Sequence, residues 1–588
     1  MGSPPEIYAG IEAAGSSAFS RDGRTLYHLR GGGLSQIWAL DLETGADRQL
    51  TDHDEKVALF RRCPVDDRII YGIDQGGDER QQLILLDPDT GDARPLTANQ
   101  DVIHDWGGWS PNGTQIAFAS NGRDEAHFDV HVMDVASGAA RLLYQGQGIV
   151  TVAGFSPDGA RLAISHDRGY GDMAVRILDI ASCQSAEFPQ PSGTNYQSVR
   201  CASEGGTLLA LTDHGGVDFM RLCRLDPADG SVSVIYAAEG RDVEAWAIST
   251  DRRMLATVEN DRGFSVLRAG PIDGARPDVE GPPRGVISDV AFSPDSGTLA
   301  FTVSAVTAPA SIWLWRDGVV KPVYQPAAPP GLIGMTLVNW PSFDGLSIPG
   351  WMALPDGPVP PGGHKAVIWV HGGPIGQSRP NFRPDIQMLL AHGFAVLMPN
   401  VRGSSGYGRA YAESDDLDKR LDCVADLEYG RRWLAAHPAI DADRIGIMGQ
   451  SYGGYMVNAA LTEYPGPWKA AVNYYGIVDF TTTLAGTGPW RRSHRAAEYG
   501  DPERHADLFA RLSPIHQVDR IRVPMLLAHG ERDPRVPIGE SEQLAAALRE
   551  RQQRVTYLSF GYAGHGFVRP EDKRRIYTAV AEFFAEHL

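Results

Sequence analysis

The chain has few cysteines, an excess of acid over base and no long apolar runs. Five cysteines, at positions 63, 183, 201, 223 and 423, are scattered through 588 residues. An odd number without C-x-x-C spacing argues against a disulfide framework or a zinc site, so they read as reduced thiols. Lysine and arginine together number 54 against 73 aspartates and glutamates, a net charge of -19 with a pI near 5.3. No basic block interrupts this, and such a surface repels nucleic acid and anionic membranes. No apolar run reaches the ~20 residues that span a bilayer. The start, Met1 to Glu6, lacks a basic segment followed by an apolar stretch, so a soluble cytoplasmic protein is expected. With no phosphate-binding loop, metal-ligand cluster or dinucleotide fingerprint, no cofactor and no metal are expected.

What is present has two rhythms. A composition of 43% hydrophobic and 22% charged residues is that of a globular protein. A length of 588 residues calls for at least two domains. In the first half Phe19-Ser20-Arg21-Asp22-Gly23, Trp109-Ser110-Pro111-Asn112-Gly113, Phe155-Ser156-Pro157-Asp158-Gly159 and Phe292-Ser293-Pro294-Asp295-Ser296 are copies of one motif. Degenerate copies start at Cys63, Cys201 and Ile248, so that seven starts lie 44 to 47 residues apart. A second motif follows several of them, as in Asp41-Leu42-Glu43-Thr44-Gly45 and Asp134-Val135-Ala136-Ser137-Gly138. Short alternating strands and tight turns at this period predict a seven-bladed β-propeller over residues 11–325, one four-stranded blade per repeat.

The rhythm changes after a Pro/Ala-rich linker at Pro326–Pro330. Strand-like runs (Ala366–Val370, Phe394–Met398, Arg444–Met448, Val523–Ala528, Val555–Phe560) then alternate with helix-like ones (Val424–Ala436, Tyr455–Leu461, Glu540–Glu550, Arg574–Leu588). This alternation predicts a mostly parallel sheet covered by helices over residues 335–588, the α/β-hydrolase type.

Three residues of this half point to chemistry. Gly449-Gln450-Ser451-Tyr452-Gly453 lies between a predicted strand and a predicted helix, the setting of a nucleophile elbow. Asp533 and His565 each fall in a loop after a later strand. Ligands of open α/β sheets bind beyond the carboxyl ends of the strands, where all three candidates would meet. Serine hydroxyl is a poor nucleophile unless a base takes its proton and a carboxylate orients that base. The order Ser451, Asp533, His565 supplies nucleophile, acid and base. The backbone N–H groups of Tyr452 and Gly373 are the candidate oxyanion donors, the second in a loop where Gly372-Gly373 permits close approach; a plain turn is the other reading.

A propeller followed by a hydrolase with this residue order resembles the prolyl oligopeptidase family of serine peptidases. His371-Gly372-Gly373-Pro374, Asn400-Val401-Arg402-Gly403-Ser404, Gly449 to Tyr455 and Asp533-Pro534-Arg535-Val536-Pro537 carry the likeness, and the first looks most like the acylaminoacyl-peptidase branch. The resemblance implies hydrolysis of short peptides, N-acylated ones among them, with the propeller excluding folded proteins. It implies that Arg535 binds a substrate carbonyl beside the scissile residue, with a surface salt bridge as the plainer reading. It places the first specificity pocket near Tyr475 and Trp490, aromatics that core packing explains equally well. Dipeptidyl peptidases of the family hold a free amino end with adjacent glutamates; no Glu-Glu occurs in this sequence, although one separated acid can do similar work. The alternatives are an aminopeptidase, an amide or ester hydrolase for a small metabolite, and an interaction scaffold with an inert hydrolase domain. The lead before the first blade is short where many relatives carry a longer extension, which puts an N-terminal part in assembly in doubt. Relatives are often oligomeric through the hydrolase edge strand, so a homo-oligomer is compatible with the resemblance.

Overall fold

The computed structural model describes residues 4–588 apart from 170 and 203–205; residues 1–3, read above for a leader, lie outside the described residues. Seven small antiparallel sheets succeed one another from Ala13 to Tyr324. Six have four strands. The sixth blade has three, and its fourth strand is reduced to the bridge between Arg268 and Asp278. The predicted seven-bladed propeller is therefore present.

The repeated motifs are the turns that end the first and third strands of a blade. In the first, the Ser20 hydroxyl accepts the Thr25 N–H at 2.9 Å and donates to Asp22 at 2.7 Å. Ser156 repeats this with Arg161 and Asp158. Ser249 does so with Met254 and Asp251, which makes the degenerate copy at Ile248 a working one. In the second motif Asp41 accepts from the backbone and the hydroxyl of Thr44. The side chains thus pair backbone groups that the tight turn leaves open.

Blade one is built wholly from residues 13–49 and blade seven wholly from residues 286–324. The ring therefore closes through side chains: Phe19 and Leu26 pack on Ala300, Ile312 and Leu314. Glu12 adds contacts to Arg30 and to the Tyr324 hydroxyl.

The C-terminal half is an eight-stranded sheet: β1 (Thr336–Pro341), β2 (Ser347–Ala353), β3 (His364–Val370), β4 (Ala395–Pro399), β5 (Ile440–Gln450), β6 (Ala471–Tyr474), β7 (Met525–Gly530) and β8 (Val555–Phe560). Their order is β1-β2-β4-β3-β5-β6-β7-β8, parallel from β4 onward. Both faces are covered. Leu427, Val457 and Leu548 bury one, and Leu389, Val580 and Phe584 the other. Tyr8, ahead of the first blade and 3% exposed, joins this second cluster.

Candidate active site

Strand β5 ends at Gln450 and the helix Tyr452–Glu463 begins two residues later. Ser451 makes the turn between them at φ 56 and ψ -124, a left-handed conformation that costs a non-glycine residue about 1–3 kcal/mol. The residues two positions away on either side must be small. A Cβ on Gly449 would stand 2.4 Å from the carbonyl oxygen of Gly453, and one on Gly453 2.3 Å from that of Val370.

The loops after β7 and β8 bring the other two residues to this turn. His565 Nε2 lies 2.8 Å from Ser451 Oγ, and its Nδ1 lies 2.6 Å from Asp533 Oδ2. With the Nδ1 proton donated to Asp533, Nε2 is left to accept the serine proton. Asp533 is fully buried, and its other oxygen accepts the N–H groups of Arg535 at 2.8 Å and Val536 at 3.1 Å. Burial would raise its pKa, but the two histidines beside it, His565 and His529, hold the carboxyl well below the ordinary range. Burial pushes His565 the other way, below the usual imidazole value, and Asp533 offsets only part of that.

The candidate oxyanion loop sits against the nucleophile. A Cβ on Gly372 would come within 3.1 Å of the Ser451 Cβ, and one on Gly373 (φ 156) within 2.6 Å of the Ile375 nitrogen. The Gly373 carbonyl accepts from Arg495 at 3.4 Å. Below the elbow helix, the Tyr452 hydroxyl is held by the buried pair Arg420–Asp415, at 3.1 Å from the first and 3.3 Å from the second.

Arg535 is brought to the site; Trp490 is not. Arg535 lines a narrow pocket beside Ser451 with Ile477, Thr487, Arg495, Tyr499 and Val536. Trp490 instead packs with Ile103, Val130 and Val150 of the propeller, because a large apolar ring at the domain boundary is buried by the nearer apolar surface. Tyr475 takes an intermediate place. Its ring lies 4.6 Å from that of His565 and its hydroxyl donates to Gln450, so it backs the base and is not a wall of the pocket. Arg402 is structural, bonded to both Asp426 and Asp344.

Four residues at the site were not singled out in the sequence: His529, Arg491, Arg495 and Glu79. Glu79 comes from the propeller. One carboxylate oxygen pairs with Arg535 and the other with Arg491. Burial would raise Glu79, but the guanidinium groups of Arg491 and Arg535 hold it below the ordinary carboxylate range. Nothing in its local sequence marks it, since it sits in a polar turn between blade strands.

Residues 380–588 match the prolyl oligopeptidase family of peptidases. The chain is 28% identical over 554 residues to dipeptidyl aminopeptidase BIII of Pseudoxanthomonas mexicana, covering 89% of this chain and 79% of the relative. Among solved structures it superposes on a puromycin-hydrolysing peptidase of Mycobacterium tuberculosis with a TM-score of 0.86 at 20% identity, covering 100% and 96% of the two chains. An acylaminoacyl peptidase of Pyrococcus horikoshii gives 0.77 at 19%, covering 100% and 98%. At such identities the structural likenesses speak for the fold.

Proposed function

From a chain whose C-terminal domain belongs to the prolyl oligopeptidase family of serine peptidases, we propose an exopeptidase that trims the free amino end of short peptides. The observation that carries this is Glu79, a propeller carboxylate set beside Arg535 at the mouth of the Ser451 pocket. An arginine that holds the carbonyl before the scissile residue would leave the preceding amine facing that carboxylate. A charge-assisted hydrogen bond there is worth about 1.5–3 kcal/mol.

In this reading Ser451 Oγ attacks the scissile carbonyl as its proton passes to His565 Nε2. The oxygen of the tetrahedral intermediate is held by the N–H groups of Tyr452 and Gly373. The C–N bond breaks as His565 returns the proton to the leaving amine, and an acyl ester remains on Ser451. Water then hydrolyses the ester by the same proton path. Asp533 orients His565 throughout.

A second reading, an acylated amino end, is favoured by the charge count. Three guanidinium groups (Arg491, Arg495, Arg535) meet two carboxylates (Glu79 and Glu498), and both oxygens of Glu79 are already engaged. Matched chromogenic substrates separate the two: free phenylalanyl, free alanyl-phenylalanyl and acetyl-phenylalanyl anilides, each with wild type and Glu79→Gln. The free-end reading predicts preference for one of the first two, with that kcat/KM falling about ten- to a hundredfold in Glu79→Gln. A preference for the acetylated substrate, unchanged in Glu79→Gln, would establish the second reading. Turnover of a small ester or amide with silence on all three anilides would point to a metabolite hydrolase instead.

A further inference from the structure

The propeller face toward the hydrolase is occupied. Asp167 pairs with His494, Glu244 with Arg379 and Asp213 with Arg409. The opposite face carries the Ser-Pro-Asp-Gly turns, and two cavities open there that share Arg200. One is bounded by blades one, two, five, six and seven, and its charged lining is Arg61, Arg62, Arg200 and Asp289. Its neighbour, between blades five and six, adds Arg224, Arg252 and Asp273. Among the described residues, five arginines thus meet two aspartates at the distal mouth of the channel, in a chain where acids outnumber bases by 73 to 54.

The arginines are short of counter-charge. Arg61, from blade two, donates to the carbonyl of its neighbour Phe60 at 2.8 Å. The Arg200 guanidinium, from blade five, lies 4.7 Å from the centre of the Trp246 ring. Neither makes an ion pair with a described residue. Asp289, the carboxylate whose charge reaches Arg61, already accepts the Ser16 N–H at 3.1 Å and the Ser288 hydroxyl at 2.9 Å. Both arginines are exposed to the water of the cavity, with protein walls around them. Burial pulls both guanidinium pKa values down, and Arg61 lowers that of Arg200 further. Two like charges that line one cavity repel, and an incoming anion relieves the repulsion. A guanidinium fork matches a carboxylate in shape as well as charge.

We propose that the distal mouth of the propeller channel is an anion-recognition site that engages the terminal carboxylate of a short peptide, with Arg61 and Arg200 as its contacts. The inference rests on the peptidase reading for the identity of its ligand. It is also opposed to what the whole molecule would do, since a net charge of -19 repels a carboxylate.

The test is the association rate of a tripeptide, Leu-Lys(dansyl)-Gly, and of its C-terminal amide with Ser451→Ala protein, in which turnover cannot intrude. At low ionic strength the free carboxylate is expected to associate about tenfold faster than the amide, and added salt should shrink the difference. Arg61→Gln/Arg200→Gln should abolish the advantage, and Arg61→Lys/Arg200→Lys, which keeps the charge and controls for folding, should retain most of it. Equal rates for the two peptides in the Ser451→Ala protein overturn the proposal. So does an advantage that survives the double glutamine variant. The failure of the wild-type protein to cleave any peptide would instead count against the peptidase reading, and the same ratio of rates would still judge this site.

Discussion

At the scale of the residue, the proposed chemistry depends on a neutral His565. Its pKa is lowered from the ordinary 6.5 by burial, with Asp533 restoring part of the loss. As pH falls through the folded-state value, the imidazole takes a proton and can no longer accept one from Ser451. The acid limb of kcat/KM is therefore expected below pH 6.5, and a limb centred above 7 would contradict His565 as the base. Ser451, Asp533 and His565 were legible in the sequence because each lies in the turn or loop after a predicted strand, with glycines close on both sides of Ser451 and His565. Glu79 was not legible. It is brought to the site by the docking of one domain on the other, which leaves no mark in the turn that carries it. Trp490 shows the converse. A large apolar ring near the expected pocket is a fair candidate by sequence, but sequence does not say which apolar surface will bury it, and the propeller did.

At the scale of the element, the elbow works because a strand and a helix meet with almost nothing between them. A Cβ on Gly453 would stand 2.3 Å from the Val370 oxygen and 2.5 Å from that of His371, both backbone atoms that cannot swing aside. Gly453→Ala should therefore displace Ser451 relative to His565 and cost about a hundredfold in kcat, read from steady-state kinetics with the fold checked by circular dichroism. An active Gly453→Ala protein would show that the site tolerates a looser elbow. The long elements were legible in their period: Gly539–Glu550 and Val555–Phe560 lie within a residue of expectation. The short helices Phe480–Gly486, Arg492–Tyr499 and Ala506–Leu512 were not. Each is only seven or eight residues long, the first carries Thr481-Thr482-Thr483, poor helix formers, and the second is strongly polar in composition, so the helical period is too short to read from sequence. They are held by what they touch, as His494 is by Asp167 of the propeller.

At the scale of the molecule, the repeat spacing revealed the number of blades but not how the ring closes or how it faces the hydrolase. Closure by side chains between blades one and seven, and the reduced fourth strand of blade six, depend on contacts distant in sequence. The same holds for the ion pairs across the domain boundary, which bring Glu79 beside Arg535. This assembly is expected to activate one serine, Ser451, among all those of the chain. Treatment with a fluorophosphonate, followed by mass-spectrometric mapping of the adduct, tests it most directly. One rapid adduct on Ser451 is expected, lost in Ser451→Ala and slowed by about 10⁴ in Asp533→Asn. A rapid adduct on another residue, or none on a folded protein, would contradict it.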